Sequence, residues 1–313
     1  MEAWRGSKYG KLFRFCDHGT LTRVGEVWNF YSASNEERQS ELKKSAEVAI
    51  QRRNARRGEL GQVTLTGLRS AAPASVAALG EISDLHEYFW EHGSMEMDTE
   101  ILSKALYANP MLFSTNTAAS LHYGTDPMLG FHLAAAYSPL VQESPSNRQS
   151  THTKLQSIVA GARHEFCTWS NSFRRRTSGK LTLRFFTGDA LAFCHSLQHR
   201  RVTGAVSSAG WYRTPYVMEP LVLDEEEFGP EGSAPASFTV IDTSNLIDHI
   251  GALNLLVAAS PLLAGDVSAS LYTEILVRRG ESHQELVDNL LCGHLPTVSL
   301  LIGLFPVDYW TNA

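Results

Sequence analysis

Two short segments hold the residues best suited to chemistry. In LTLRFFTGDALAFCHSLQ, an alternating stretch over 181–186 runs into the turn Gly188-Asp189-Ala190. In SFTVIDTSNLIDHIGALNLLVAASPLL, an apolar run over 238–241 ends in Asp242, followed closely by Ser244 and Asn245. A carboxylate at the carboxyl end of a strand, with a helix amino-terminus beside it, can hold a ribose hydroxyl, a substrate amine or a metal ion, because the helix amides there are free to donate. The same carboxylate can instead cap the helix or close a turn, and Asp189 and Asp242 are open to either role. Asp248 and His249 follow Ser244 by four and five residues. A histidine titrating near neutrality next to an acid suits proton transfer, but the sequence offers it neither an obvious nucleophile nor a third group to orient it. The candidate catalytic residues are thus Asp242, Asp248 and His249, and the candidate cofactor ligands are Gly188, Asp189, Asp242, Ser244 and Asn245.

No metal site is expected. Cys16, Cys167, Cys194 and Cys292 lie far apart and form neither a zinc knuckle nor a dense disulfide framework, which fits a reducing compartment. The first residues, MEAWRGSKYGKLFRF, have no apolar centre or small-residue cleavage site of a secretory signal, so a cytoplasmic location is expected. The longest apolar stretches, 252–264 and 298–305, fall short of the roughly 20 residues that span a bilayer and read as buried core.

Each candidate carboxylate requires a strand-turn-helix unit to place it. The first unit is a strand over 181–186 and a helix from Ala190. The second is a strand over 238–241, Ser244 as helix N-cap, and a helix carrying Leu246, Ile250, Leu253 and Val257. Strands followed directly by helices imply a parallel sheet. The expectation is that the two strands lie side by side and release Asp189 and Asp242 into one shared hollow. Between the units, 221–237 is acidic and rich in glycine and proline, and reads as a mobile surface excursion, either a lid or a plain insertion.

Upstream, the chain reads mainly helical. Leu12, Phe15, Val24, Val27, Trp28 and Tyr31 recur at three- and four-residue spacing, and a charged second helix starts near Ser34 and ends at Arg52, Arg53, Arg56 and Arg57. QVTLTGLRSAAPASVAAL predicts a strand, a turn and a helix from about Pro73. In LHEYFWEHG, Leu85, Tyr88, Phe89 and His92 share one helical face suited to core packing. Residues 107–116 and 121–137 read as irregular buried connections around short helices. The polar stretch 141–153 reads as a linker, dividing a mainly helical portion, 1–150, from an α/β portion, 151–313.

With 313 residues, 43% hydrophobic and 19% charged, the chain can bury a substantial core as one large domain or two smaller ones. The net charge of -6 argues against general nucleic-acid binding. The arginine groups at 52–57, 174–176 and 200–201 read as solvated helix ends, with an RNA surface as the lesser alternative.

The segments GKLFRFCDHGTL, LTGLRSAAP, FWEHG, LHYGTDPMLGFHLA, LRFFTGDALAFCHSLQHRR, VIDTSNLIDHIGALNLLVA and LLCGHLPTVSLLIGLFPVDYWTNA resemble fungal proteins with an uncharacterised domain that is often followed by a MYND zinc finger. That domain is similar to the amino-terminal part of dynein axonemal assembly factor three, and both resemble S-adenosylmethionine-dependent methyltransferases in fold. The resemblance implies an α/β, Rossmann-like (methyltransferase-like), mostly parallel sheet with a large helical N-terminal portion. It sets Gly188-Asp189-Ala190 against the acidic loop near the adenine, and Asp242-Thr243-Ser244-Asn245 against the loop after the fourth strand, which faces substrate. Relatives carry a Gly-Cys-Gly-Asp-type turn after their first strand and a cysteine-rich finger, and neither is found in this sequence. The expected function is therefore an interaction or assembly module for protein partners, with an S-adenosylmethionine-dependent methyltransferase as the alternative and S-adenosylmethionine as the possible cofactor.

Overall fold

In a computed structural model, the residues described are 1–32, 47–48, 51, 70–92, 94–104, 128, 130–141, 150–176, 181–275 and 282–307. Along the chain come β1 (Phe13–Phe15), α1 (His18–Ser32), α2 (Leu79–His92), α3 (Ala134–Val141) and α4 (Thr151–Arg176). Then follow β2 (Leu183–Phe185), α5 (Ala190–Thr203), β3 (Ser207–Thr214), β4 (Val217–Val222) and α6 (Glu225–Phe228). The last are β5 (Val240–Asp242), α7 (Leu246–Ile250), α8 (Ala252–Ala259), β6 (Ser270–Tyr272), α9 (His283–Leu290) and α10 (Leu295–Ile302). The fold is mixed α/β, with small parallel ladders.

The chain forms two compact units: one of Met1–Glu26 with Thr182–Ala313, the other of Val27–Leu181. The first residues thus group with the strands, and α4 groups with the helices before it rather than with the α/β portion. Most of the 141–153 linker lies outside the described residues, as do the arginines at 52–57 and the start of QVTLTGLRSAAPASVAAL, where a strand is expected.

In the helical unit, α2 buries Ile82, Leu85 and Phe89, and α4 buries Leu155, Ile158 and Ala162. These residues recur at three- and four-residue steps, so each helix presents one apolar stripe. Met128, Leu133 and Tyr137 belong to the same buried cluster. Lys154 Nζ reaches Glu81 Oε1 at 3.2 Å. The core role expected for Leu85 and Phe89 is realised, and Tyr88 packs against the same cluster. His92 instead stacks on Tyr88, with ring centroids 4.1 Å apart. Helix α2 begins at Leu79, not near Pro73. The reason is that the buried periodicity starts at Ala78, while Val76 is exposed.

In the α/β unit, β1 and β2 pair in parallel with Phe13 opposite Leu183, Arg14 opposite Arg184 and Phe15 opposite Phe185. The expected helix across Leu12 and Phe15 is therefore corrected. Phe13-Arg14-Phe15 alternates aromatic and charged residues, the two-residue period of a strand. Strands β3 and β4 form an antiparallel hairpin, and β5 pairs in parallel with β6. The strands leading to Asp189 and Asp242 each sit in a parallel pair as expected, but in different ladders: β2 bonds to β1, and β5 bonds to β6. Hydrophobic packing, not a shared ladder, joins their neighbourhoods, since Phe186, Phe238 and Ile241 all pack on a cluster of Cys16, Leu197, Leu223, Phe228 and Leu262.

Three further expectations change. The helix after Asp242 is broken in two at Gly251, whose φ of 83° and ψ of 147° end α7 and start α8. That backbone conformation favours glycine. Residues 221–237 are no loose excursion: Leu221, Leu223, Glu227, Phe228 and Ala234 are buried, and Asp224 caps α6 by accepting from Glu227 N at 3.1 Å. The hydrophobic side chains among the acidic ones tie the segment to the core. Finally, the stretch 252–264 buries Ala252, Leu255, Ala258, Ala259 and Leu262, but 298–305 leaves Leu300, Leu301 and Phe305 exposed.

Ile158 is fully buried at the centre of the helical cluster. Ile158→Ala is expected to destabilise that unit by ~2–5 kcal/mol, the cost of lost apolar contacts plus the cavity. Urea unfolding followed by circular dichroism measures it, and a change below ~1 kcal/mol would contradict this packing.

Candidate functional site

Beyond the carboxyl ends of β1 and β2, the chain passes through Cys16 and Asp17 on one side and through Phe186, Thr187, Gly188 and Asp189 on the other. In parallel sheets, this edge is where ligands bind. Here it holds an internal ion pair. Asp17 and Arg213, the latter from β3, are 2% and 7% exposed. Arg213 Nε donates to Asp17 Oδ2 at 2.5 Å, and Arg213 Nη2 lies 3.3 Å from Asp17 Oδ1. The same Nη2 donates to Thr20 Oγ1 at 3.2 Å and to the Thr187 carbonyl at 2.7 Å. Asp17 also accepts from Thr20 N at 2.9 Å and from the Thr20 hydroxyl, so it caps the first turn of α1. Thr20 Oγ1 in turn accepts from Thr187 N at 3.0 Å.

The glycines flanking this pair allow the close packing. A Cβ at Gly19 would lie 2.5 Å from Arg213 Cζ, and one at Gly188 would lie 2.7 Å from the Arg213 carbonyl oxygen. Gly188 therefore serves close backbone approach to β3. Asp189 N donates to that Arg213 carbonyl at 2.7 Å, and the Asp189 carboxylate accepts from Ala192 N at 2.7 Å. Asp189 is the N-cap of α5. The geometry thus realises the capping alternative for this carboxylate.

A second buried carboxylate, Glu227 of α6, serves the middle of the same strand pair. Its Oε1 lies 2.9 Å from Arg14 Nη1 and its Oε2 lies 2.9 Å from Arg184 Nε. Arg184 Nη2 adds Ser233 Oγ at 3.0 Å. Arg5 pairs with Asp224 and Glu226. The alternate residues of these strands, Phe13, Phe15 and Phe185, form an aromatic set with Trp4.

The other candidate residues surround the carboxyl end of β5 and form an exposed polar turn. Asp242 Oδ1 accepts from Ser244 N at 2.8 Å, closing the turn. Ser244 adopts a φ of 47°, and its carbonyl accepts from Glu274 N at 2.7 Å. It does not cap the helix. Asn245 holds the N-cap position of α7 without a side-chain cap bond, because its amide is turned toward His249, with Nδ2 3.2 Å from Nε2. Asp248 lies in the first turn of α7 and His249 in its last. Asp242, Ser244, Asn245 and His249 are therefore neighbours by direct bonds, whereas Gly188 and Asp189 belong to the Arg213 cluster.

Sequence reasoning missed Asp17, Thr20, Arg213 and Glu227. Asp17 and Thr20 carried a signal, a carboxylate three residues ahead of a threonine at the start of a helical pattern, which is an N-cap spacing. Arg213 carried none, since an arginine between tyrosine and threonine in a hairpin reads as a surface residue until its strand is placed.

Burial also tunes two thiols. Burial, helped by the neighbouring Asp17, pushes the Cys16 thiol up to about 12, and burial with Asp189 nearby pushes Cys194 up to about 11. Cys167 and Cys292 are exposed. Among the described residues, no group of three or more histidine, cysteine, aspartate or glutamate side chains could hold a metal ion. No helix among them is long and apolar enough to cross a membrane. Comparison with protein-family models, with curated proteins and with solved structures finds no match to this chain.

Three outcomes are expected. Arg213→Met or Asp17→Leu, by leaving one charge or its partners buried and unmatched, should each cost ~3–5 kcal/mol, while the double change Arg213→Met with Asp17→Leu should cost much less than the sum. Chemical denaturation of the three variants measures this, and additive losses would refute the coupling. At neutral pH, iodoacetamide should label Cys167 and Cys292 while sparing Cys16 and Cys194 in the folded chain, read by peptide mass spectrometry. For Cys16 the thiol's proton is released near 9.0 in its ordinary state and near 12 when folded, so stability falls as pH rises across that window.

Proposed function

We propose that this chain is an interaction or assembly module built on a methyltransferase-like framework, related to the fungal MYND-linked proteins and to dynein axonemal assembly factor three, and working in the cytoplasm with protein partners. The observation that carries this reading is the Asp17–Arg213 pair. It fills the edge beyond β1 and β2 with the chain's own side chains, Arg213 bonding to Asp17, to Thr20 and to the Thr187 carbonyl. A cofactor at that edge would have to displace a buried arginine from a carboxylate, a cost of ~3–5 kcal/mol before any contact of its own. Asp189, the candidate ribose ligand, is engaged as a helix cap. The chain's net charge of -6 also fits protein partners better than nucleic acid.

The second reading, an S-adenosylmethionine-dependent methyltransferase, draws on the other turn. Asp242, Ser244 and His249 lie exposed and Asn245 half-buried at the carboxyl end of a parallel strand, with the histidine in hydrogen-bonding reach of an amide. Here a substrate could meet an acid and a base without disturbing the buried pair.

Calorimetry and thermal unfolding with S-adenosylmethionine and S-adenosylhomocysteine separate the two. The module reading expects no heat and no stabilisation at roughly millimolar ligand, whereas a ligand at 100 times its Kd would add ~2.7 kcal/mol. Stabilisation that Asp242→Ala abolishes would establish the methyltransferase reading instead.

A further inference from the structure

The α/β unit holds two parallel ladders of only two strands each, β1 with β2 and β5 with β6, and among the described residues no ladder bond joins the two. Parallel strands are ordinarily covered on both faces and belong to larger sheets. Here Phe185 of β2, Val240 of β5 and Tyr272 of β6 are 42%, 58% and 59% exposed.

The hydrogen bonds fix which flank of each strand is used. Leu183 N donates to the Leu12 carbonyl at 2.7 Å, and the Phe185 carbonyl accepts from Cys16 N at 2.9 Å. A trans peptide points its carbonyl and its N–H in opposite directions. The Thr182 carbonyl and the Phe186 N–H therefore turn to the other flank of β2, with the main chain of Arg184 between them. On β5, the Thr239 carbonyl accepts from Ser270 N at 2.9 Å, and Thr243 N donates to the Tyr272 carbonyl at 3.0 Å. The Val240 N–H and the Asp242 carbonyl thus turn away from β6. Among the described residues, these outward main-chain groups of β2 and β5 meet no hydrogen-bond partner. Both strands border one core: Phe186, at the end of β2, and Ile241 of β5 pack on the cluster of Cys16, Leu197, Leu223, Phe228 and Leu262, to which β6 adds no described residue.

We propose that β2 and β5 are the two walls of a slot one strand wide, entered by an extended segment of a partner protein that runs parallel to both and joins the ladders into one sheet. This rests on the interaction-module reading and names how the partner is held. Two rows of unmatched donors and acceptors specify the occupant's chemistry. An extended main chain offers such groups on both of its flanks at a spacing of about 3.3 Å per residue, whereas a helix spends its own internally. The occupant's side chains alternate, apolar ones toward the cluster and polar ones toward water beside Phe185 and Val240. A second folded copy presents only an edge strand of its own, which can pair with one wall but not with both.

The test uses the full chain and a fluorescein-labelled synthetic peptide alternating valine and threonine, with lysine at each end for solubility. Two matched probes carry N-methyl groups on the valine amides or on the threonine amides, so that each loses the donors of one flank. The parent peptide is expected to bind by fluorescence anisotropy, and each methylated form should bind about ten-fold more weakly or worse, since each loses more than one hydrogen bond. Amide exchange followed by mass spectrometry should slow at 184–186 and at 240–242 together when the parent peptide is bound. Val240→Pro removes an outward N–H that the bonds to β6 do not use, and should weaken binding by a similar factor with circular dichroism unchanged. The methylated peptides and the exchange pattern need no variant and carry the test even if that substitution disturbs folding. Indifference to methylation of either flank, or protection of only one strand, would overturn the slot. So would a concentration-dependent dimer that protects both strands without peptide. S-adenosylmethionine binding with peptide binding intact would overturn the module reading alone, and absence of both kinds of binding would overturn the slot alone.

Discussion

A guanidinium buried against a carboxylate is the constraint on which the α/β unit is organised. Taking Asp17 and Arg213 out of water costs several kcal/mol per ion, and their attraction offsets this only when the remaining donors and acceptors are also matched. They are matched here by Thr20 and by the Thr187 carbonyl. The partners come from the start of α1, the loop leaving β2 and strand β3, so the ion pair ties these three pieces of chain together. The glycines at 19 and 188 follow from it, since any side chain there would enter the space taken by Arg213.

The same charge pair separates two strand ends that otherwise look alike. At the end of β2, side chains and amides turn inward and bond to each other, leaving Asp189 as a cap. At the end of β5, Asp242 closes a tight turn and the polar groups stay in water, with Ser244 in a left-handed conformation and Asn245 reaching His249. The first edge is built for rigidity, and the second retains groups that a partner molecule can touch.

Much of this was legible in the sequence wherever local pattern decides the outcome. The strand before Gly188, the helix from Ala190, the strand into Asp242 and the core face of α2 all follow from periodicity and capping, which depend on near neighbours. What the sequence could not convey was pairing. FRF over 13–15 is too short to announce a strand, and it becomes one because β2 lies beside it. Residues 221–237 have the composition of a surface loop, yet Leu223 and Phe228 find a cluster to enter and Glu227 finds two arginines. Ser244 has the side chain of a cap, but the bonds from Thr273 and Glu274 to its carbonyl hold its backbone elsewhere. Leu300 and Leu301 are apolar and still face outward, for which the described residues give no packing reason.

The register of β1 on β2 sets Arg14 directly across from Arg184, two like charges that repel when their strands meet. Glu227, which answers both, is more than forty positions further along than Arg184. Without Glu227 two guanidinium groups would face each other across one ladder, so the pairing that ties residues 13–15 to the rest of their unit leans on a carboxylate that belongs to neither strand.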